Sequence, residues 1–369
     1  MNDTADYSKE AEPTAHDSMH EYGGSGEINV DGLSGELADP QPSTFPLVTN
    51  LQSFFKSIRP QLWTINKSAT DLSWRSACWS PELSLFCAVA VSATNNGVMT
   101  SPDGSKWTTR VPANNNDWKS VCWSPELLLF CAVAATGTNN RVMTSPNGID
   151  WTAQVNSVNN SFIQIIWVPE LSHFFAIAQS GTTNRIMSSP NGIDWTTQTT
   201  VNNDYRGICW SPEIPLLCCV GFSGAASIRV MTSPDGITWT AQTAANDNDW
   251  YAVCWSPELL LFCAVAWNGT SQLVMTSPNG IDWTLQQGDP RFGGYSIAWS
   301  PELSVFCVVS TSISNPSIMY SYDGITWHVV NSAYKSGYIQ ICYCSTFEFF
   351  LAVSMTAPDN YTMKSLSLS

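Results

Sequence analysis

At 369 residues and a net charge of −15, the chain could hold two or three ordinary domains, but it lacks the basic footprint that nucleic acid or an anionic membrane surface requires. No apolar run approaches the ~18–20 residues of a bilayer-spanning helix. The first residues lack the basic start and apolar core of a secretory signal, so synthesis in a reducing compartment is expected.

The acids are unevenly spread: residues 1–58 hold ten against Lys9 and Lys56, a net of −8. Residues 1–46 are poor in apolar side chains and carry Gly-Gly-Ser-Gly at 23–26. They read as a flexible arm, either a solvating tail or a segment that orders on docking to a partner. Residues 47–60 form a strap, in which VTNLQSFFKSI (48–58) has the pattern of a short amphipathic helix ending before Pro60.

From residue 61 onward the chain repeats. Trp63, Trp107, Trp151, Trp195, Trp239, Trp283 and Trp327 are each 44 residues apart. A fixed period of this size means stacked supersecondary units that bury their faces on each other. Within one unit, Trp118–Trp123 alternates as a strand does and Ser-Pro-Glu follows as a turn. Leu128–Ala134 is an apolar run of strand length, Arg141–Thr144 a third strand, Ser145–Gly148 a tight turn and Trp151–Val155 a fourth strand. Four short antiparallel strands per unit predict a propeller blade. The last unit stops at Ser369, where its fourth strand should follow, and the missing strand stands at 61–66. Residues 61–369 are therefore expected to form an all-β, seven-bladed β-propeller closed by its N-terminal strand, which leaves no free sheet edge.

Cys78/Cys87, Cys122/Cys131, Cys209/Cys218 and Cys254/Cys263 are pairs nine apart that face each other across a hairpin. The same slots hold Ala298/Cys307 and Cys342/Leu351 elsewhere, so they read as reduced apolar filler, with cross-hairpin disulfides the alternative. No Cys or His spacing suits a metal, and no metal or cofactor is expected.

The turn before each later tryptophan reads Ser-Pro-Asp-Gly-Ser-Lys-Trp107, Ser-Pro-Asn-Gly-Ile-Asp-Trp (151, 195, 283), Ser-Pro-Asp-Gly-Ile-Thr-Trp239 and Ser-Tyr-Asp-Gly-Ile-Thr-Trp327. These residues resemble the Asp-box, or bacterial neuraminidase repeat, in a shorter form with Asn in half the copies. The resemblance implies a structural role for Asp103, Asn147, Asn191, Asp235, Asn279 and Asp323 and for the seven spaced tryptophans. The wording Trp-Ser-Pro-Glu-Leu-x-Leu-Phe is similar to repeats in structural proteins of phages and large DNA viruses.

Antiparallel connectivity puts the uniform turns on one face and the variable loops on the other, where binding residues are expected. Glu82, Glu126, Glu170, Glu213, Glu258 and Glu302 share one turn position and would ring the uniform face. On the loop side an aromatic opens the first strand of each blade: Trp74, Trp118, Phe162, Tyr205, Trp250, Tyr295 (shifted by one) and Tyr338. This ring is either a stacking platform for sugars and partner side chains or filler for the inner rim. Arg75, Lys119 and Arg206 lie next to it, with Asp117, Asp204 and Asp249 beside them. Sialidase-like enzymes use an arginine cluster, a Tyr/Glu nucleophile pair and an acid. Here one base is lysine, and no Glu outside the repeated turns is placed to activate a tyrosine. The expectation is a non-catalytic binding or assembly module on a virion, made in a reducing cytoplasm and contacting virion proteins or a host glycan. A sialidase-like glycoside hydrolase and a cellular assembly factor are the alternatives.

Overall fold

The computed structural model describes residues 62–91, 95–155, 158–223, 228–269, 272–289, 292–312, 317–330, 337–355 and 361–365. The proposed arm (1–46) and strap (47–60) lie outside them. The described chain forms seven four-stranded antiparallel sheets. Six of them are continuous in sequence, and their first strands are Trp74–Ser80, Trp118–Ser124, Phe162–Val168, Tyr205–Ser211, Asp249–Ser256 and Ser296–Ser300. They are blades 1 to 6 in that order. Blade 7 consists of Tyr338–Cys344, Phe349–Ser354 and Tyr361–Ser365, with Trp63–Lys67 as its fourth strand. That strand pairs Trp63 with Ser365 and Lys67 with Tyr361, so the ring closes as the truncated last unit required. Thr64 and Lys364 stand directly opposite, within disulfide reach for facing antiparallel residues. Thr64→Cys/Lys364→Cys is expected to oxidise to an intramolecular cross-link, seen as a reducible mobility shift under denaturing electrophoresis.

The first strand of each blade touches the first strands of both neighbours, which makes these seven strands the wall of a central channel. Closure joins the ring but, against the expectation of no free sheet edge, each blade remains a separate sheet. The inner edges have no further strand to pair with, and side chains from the adjacent blade serve instead. The N–H groups of Val121 and Ile165 donate to Ser76 Oγ and Ser120 Oγ at 3.2 Å, and that of Ile208 donates to Gln164 Oε1 at 3.0 Å. Ile341 N–H reaches Ser296 Oγ, and Ala77 N–H reaches Gln340 Oε1 at 2.9 Å, which carries the pattern across the closure.

Two further repeated contacts explain the uniform face. The Trp-Ser-Pro-Glu phrase works between blades: the indole N–H of Trp123, Trp167 and Trp299 donates to Glu82, Glu126 and Glu258 at 2.6 Å, and Trp255 donates to Glu213 at 2.5 Å. In the Ser-Pro-Asn-Gly turn at 145–148, Asn147 Oδ1 accepts the amides of Ile149 and Asp150 at 2.9 Å, while Trp151 Nε1 donates to Gly148 O at 3.1 Å. Only one acceptor oxygen is needed, so Asn replaces Asp there. The spare Asn147 amide donates to Asp150, just as Asn191 donates to Asp194 and Asn279 to Asp282. Copies with Asp have Thr or Lys at that place instead. In Asp235 the amides of Thr238 and Ile237 hold the carboxyl below its usual range.

The turn glycine has a positive φ and abuts the preceding blade. Gly236 has φ +71°, and a Cβ there would lie 2.2 Å from the Phe175 ring. Gly236→Ala is expected to cost about 1–3 kcal/mol through backbone strain alone, read as a lower denaturant midpoint.

The cysteines are reduced in this structure, and Cys78↔Cys87, Cys122↔Cys131, Cys209↔Cys218 and Cys254↔Cys263 face each other across the first hairpin of their blades. Burial pushes their thiols up, as it does for any small apolar filler that carries an ionisable group.

Candidate functional site

The aromatic ring expected at the channel mouth lies elsewhere. Trp74, Trp118, Phe162, Tyr205, Trp250 and Tyr338 are each 0% exposed. Trp118, for example, packs against Cys87, Val89 and Val98 of blade 1. The cause is a β-bulge in each of these strands, where the register slips between the aromatic and the residue two further on. A bulge re-aims side chains. Here it turns the aromatic into the blade–blade interface and leaves the next residue facing the channel. The stacking-platform reading therefore fails for these six, which fill the rim as core. In blade 6 the aromatic slot is taken by Phe292, 1% exposed, and Tyr295 stands in the channel-facing position.

The channel-facing residues are thus Arg75, Lys119, Ile163, Arg206, Tyr251, Tyr295 and Ile339, which line a cavity of about 400 Å³. Among the described residues its lining contains no Asp, Glu, His or Cys. Arg206 is held on several sides. It pairs with Asp204 at 2.7 Å, donates to Gln179 Oε1 at 2.8 Å and lies 4.9 Å and 5.6 Å from the ring centres of Phe222 and Tyr251. Tyr251 donates its hydroxyl to that of Tyr295, and burial, reinforced by Tyr295, pushes the Tyr251 phenol far above its ordinary value. Arg75 and Lys119 differ from Arg206. Among the described residues neither has a carboxylate in salt-bridge contact, and Arg75 Nε is buried with no hydrogen-bond partner. Burial holds the Lys119 ammonium below its usual value and the Arg75 charge adds to this, with Asp117 opposing. The mouth therefore carries two adjacent cations that, among the described residues, make no salt bridge and that the Asp117 charge offsets only in part.

The three candidate aspartates divide among other tasks. Asp204 is paired with Arg206, and Asp249 bridges Arg229 at 3.2 Å. Asp117 accepts from Ala135 N–H through its carbonyl and donates its own amide to Thr136 Oγ1. Arg141, Arg185 and Arg229 tie loops between blades. Arg141 Nη1 reaches Asn160 O at 2.8 Å, Arg185 Nη2 reaches Asn202 Oδ1 at 3.0 Å and Arg229 Nη1 reaches Asn248 O at 2.5 Å.

The loop face also has a repeated scaffold of its own. Asn116, Asn160, Asn203 and Asn248, each two residues before the buried aromatic, are buried and donate to the carbonyls of Asn140, Asn184, Ile228 and Gln272. Sequence reasoning places these asparagines in the variable loops of the functional face without giving them a role, although their fixed offset from the aromatic was available as a signal. It also passed over Tyr251, Gln179 and Phe222, which complete the site. The arrangement suits the capture of an anionic group against an aromatic wall. Among the described residues no group of His, Cys, Asp or Glu is placed to hold a metal ion.

No family model matches the chain, and no curated protein matches it in sequence. Among solved structures it is similar to a selenomethionine-substituted virginiamycin B lyase from Staphylococcus aureus, with a TM-score of 0.66 at 11% identity, covering 82% of this chain and 99% of that one. It is also similar to a chain of the Mitotic Checkpoint Complex, with a TM-score of 0.63 at 13% identity, covering 90% of this chain and 95% of the other. At these identities the similarity is one of fold, the seven-bladed propeller.

Proposed function

We propose that the propeller is a non-catalytic binding and assembly module. In this reading it is a capsid- or tail-associated virion component that contacts another virion protein or a host glycan through its loop face. The observation that carries the reading is the pair Arg75 and Lys119, without a salt bridge among the described residues, beside Arg206 and the Tyr251–Tyr295 pair at the mouth of a channel whose described lining holds no carboxylate. An anionic group on the partner would supply the missing charge. The tandem turns similar to Asp-boxes, and the phrase similar to viral structural repeats, point the same way. The cation cluster also favours a second reading, a sialidase-like hydrolase. Against it, the Tyr251 phenol is pushed up and hydrogen-bonded to Tyr295, and no carboxylate among the described lining residues stands ready to take its proton.

Mass spectrometry of purified particles from the source of this sequence tests the proposal. Recovery of the chain in stoichiometric amount supports it, and confinement to the soluble cell fraction sinks the virion role in favour of a cellular assembly factor. Steady turnover of a fluorogenic sialoside, abolished by Arg75→Ala, would replace the binding module with the hydrolase.

A further inference from the structure

Trp267 is 43% exposed, while every other large exposed apolar side chain among the described residues is aliphatic except Tyr322. It departs from the repeat. The second strand of blade 5, Leu261–Asn268, has 8 residues where those of blades 1 to 4 have 6, and the added pair is Trp267 and Asn268. The extension is paired, Asp249 opposite Asn268, so the indole stands on a strand and not on a loose loop. Its ring lies 6.0 Å from that of Phe222, which fixes one side of the indole.

Beside it opens a cleft of about 380 Å³, lined by Trp267, Asn268, Gly293, Ser310, Thr311 and Ser312. That volume falls within the roughly 300–1,000 Å³ of small-ligand clefts. Gly293 makes the cleft possible. A Cβ there would lie 2.2 Å from the Trp267 carbonyl oxygen, so only glycine lets the chain entering blade 6 pass this close. Among the described residues the lining brings Trp267 together with one amide and three hydroxyl side chains and holds no charged side chain. An aromatic surface ringed by neutral donors and acceptors matches a pyranose, which has one face of C–H groups and an equator of hydroxyls. Asn268 Oδ1 already accepts from Gly269 N–H at 2.9 Å and Ser310 Oγ from Ser312 N–H at 3.2 Å, so a ligand meets partly satisfied, uncharged polar side chains, which suit hydroxyls better than an ion.

We propose that the cleft beside Trp267 is a subsite for a neutral hexopyranose, with the sugar's C–H face on the indole and its hydroxyls on Asn268 and the Ser310–Ser312 segment. The subsite deepens the binding-module reading and rests on it for the role of the loop face. Methyl β-galactopyranoside, whose H3, H4 and H5 share one face, is the probe. Saturation-transfer NMR on the full chain is expected to place the strongest transfer on those three protons, with an affinity on the order of a millimolar, as suits so small a ligand. Trp267→Ala should weaken binding by about tenfold or more, as loss of a central aromatic anchor does, whereas Trp267→Phe should retain most of it. Val111→Ser, at an exposed position of another blade, should leave it unchanged.

No transfer to the wild-type chain, or transfer that survives Trp267→Ala undiminished, overturns the subsite. If particle association persists in that case, the binding-module reading stands without it. If galactoside binding depends on Trp267 while the chain is absent from particles, the subsite stands and the virion role falls.

Discussion

Trp118→Ala is expected to cost about 3–5 kcal/mol of stability, the range for removing a large aromatic from a well-packed core. The side chain is 0% exposed, packs on Cys87, Val89 and Val98 of the neighbouring blade and donates its indole N–H to Asn114 O at 3.2 Å. Truncation would therefore leave a cavity between blades 1 and 2 and a carbonyl without its donor. A loss of this size should lower the thermal midpoint by roughly 6–15 °C. Trp118→Phe should cost well under half as much, because blade 3 is built with Phe162 in the same slot. Denaturant unfolding of the three proteins checks the series. Equal midpoints for the wild type and the alanine variant would mean that the indole is not buried as described.

Arg75→Gln/Lys119→Gln should act in the opposite way. Each charged hydrogen bond to a bound anion is worth about 1.5–3 kcal/mol, so losing both should weaken capture of an anionic partner roughly a hundredfold or more. A fluorescein-labelled hexaglutamate peptide at low salt serves as the probe, and its binding to the wild-type chain should weaken as salt rises. The stability effect follows from the sign of the Lys119 shift. Its ammonium is held below the ordinary value, so the folded state disfavours the charge. That cost is fully present at neutral pH, where the lysine is charged folded and unfolded, and it is relieved only as pH rises through the depressed value. Removing both charges should leave the thermal midpoint unchanged or slightly raised.

The architecture was legible because its signals repeat. The 44-residue tryptophan spacing set the blade count. The truncated last unit predicted closure, and Met363 indeed lies opposite Ala352 as Met99 lies opposite Ala88. The site was only half legible. Alternation along a strand assigns faces correctly until one residue is inserted, and a one-residue slip sends every later side chain to the other face. The bulge after Trp74, Trp118 and their equivalents is such a slip, so the aromatics expected at the mouth lie in the core and the charged or tyrosyl residue beside them faces the channel. The composition of the two positions carried the clue. One is aromatic in six blades, as an interface slot must be. The next holds Arg75, Lys119, Ile163, Arg206, Tyr251, Tyr295 and Ile339, a diversity that packing does not require. Trp267 escaped notice because it lies one residue beyond the strand end of the other blades.

The division between a repeated scaffold and a recognition site built at the bulges is tested most directly by measuring thermal unfolding and hexaglutamate binding side by side. The proteins to compare are the wild type, Trp118→Ala and Arg75→Gln/Lys119→Gln, all at a temperature where each is folded. The expected result is a double dissociation: Trp118→Ala unfolds early yet binds like the wild type, while the double glutamine variant keeps its midpoint and loses the peptide. Peptide binding that survives the loss of both cations, or that disappears in folded Trp118→Ala, would contradict this assignment and return recognition to the aromatic ring.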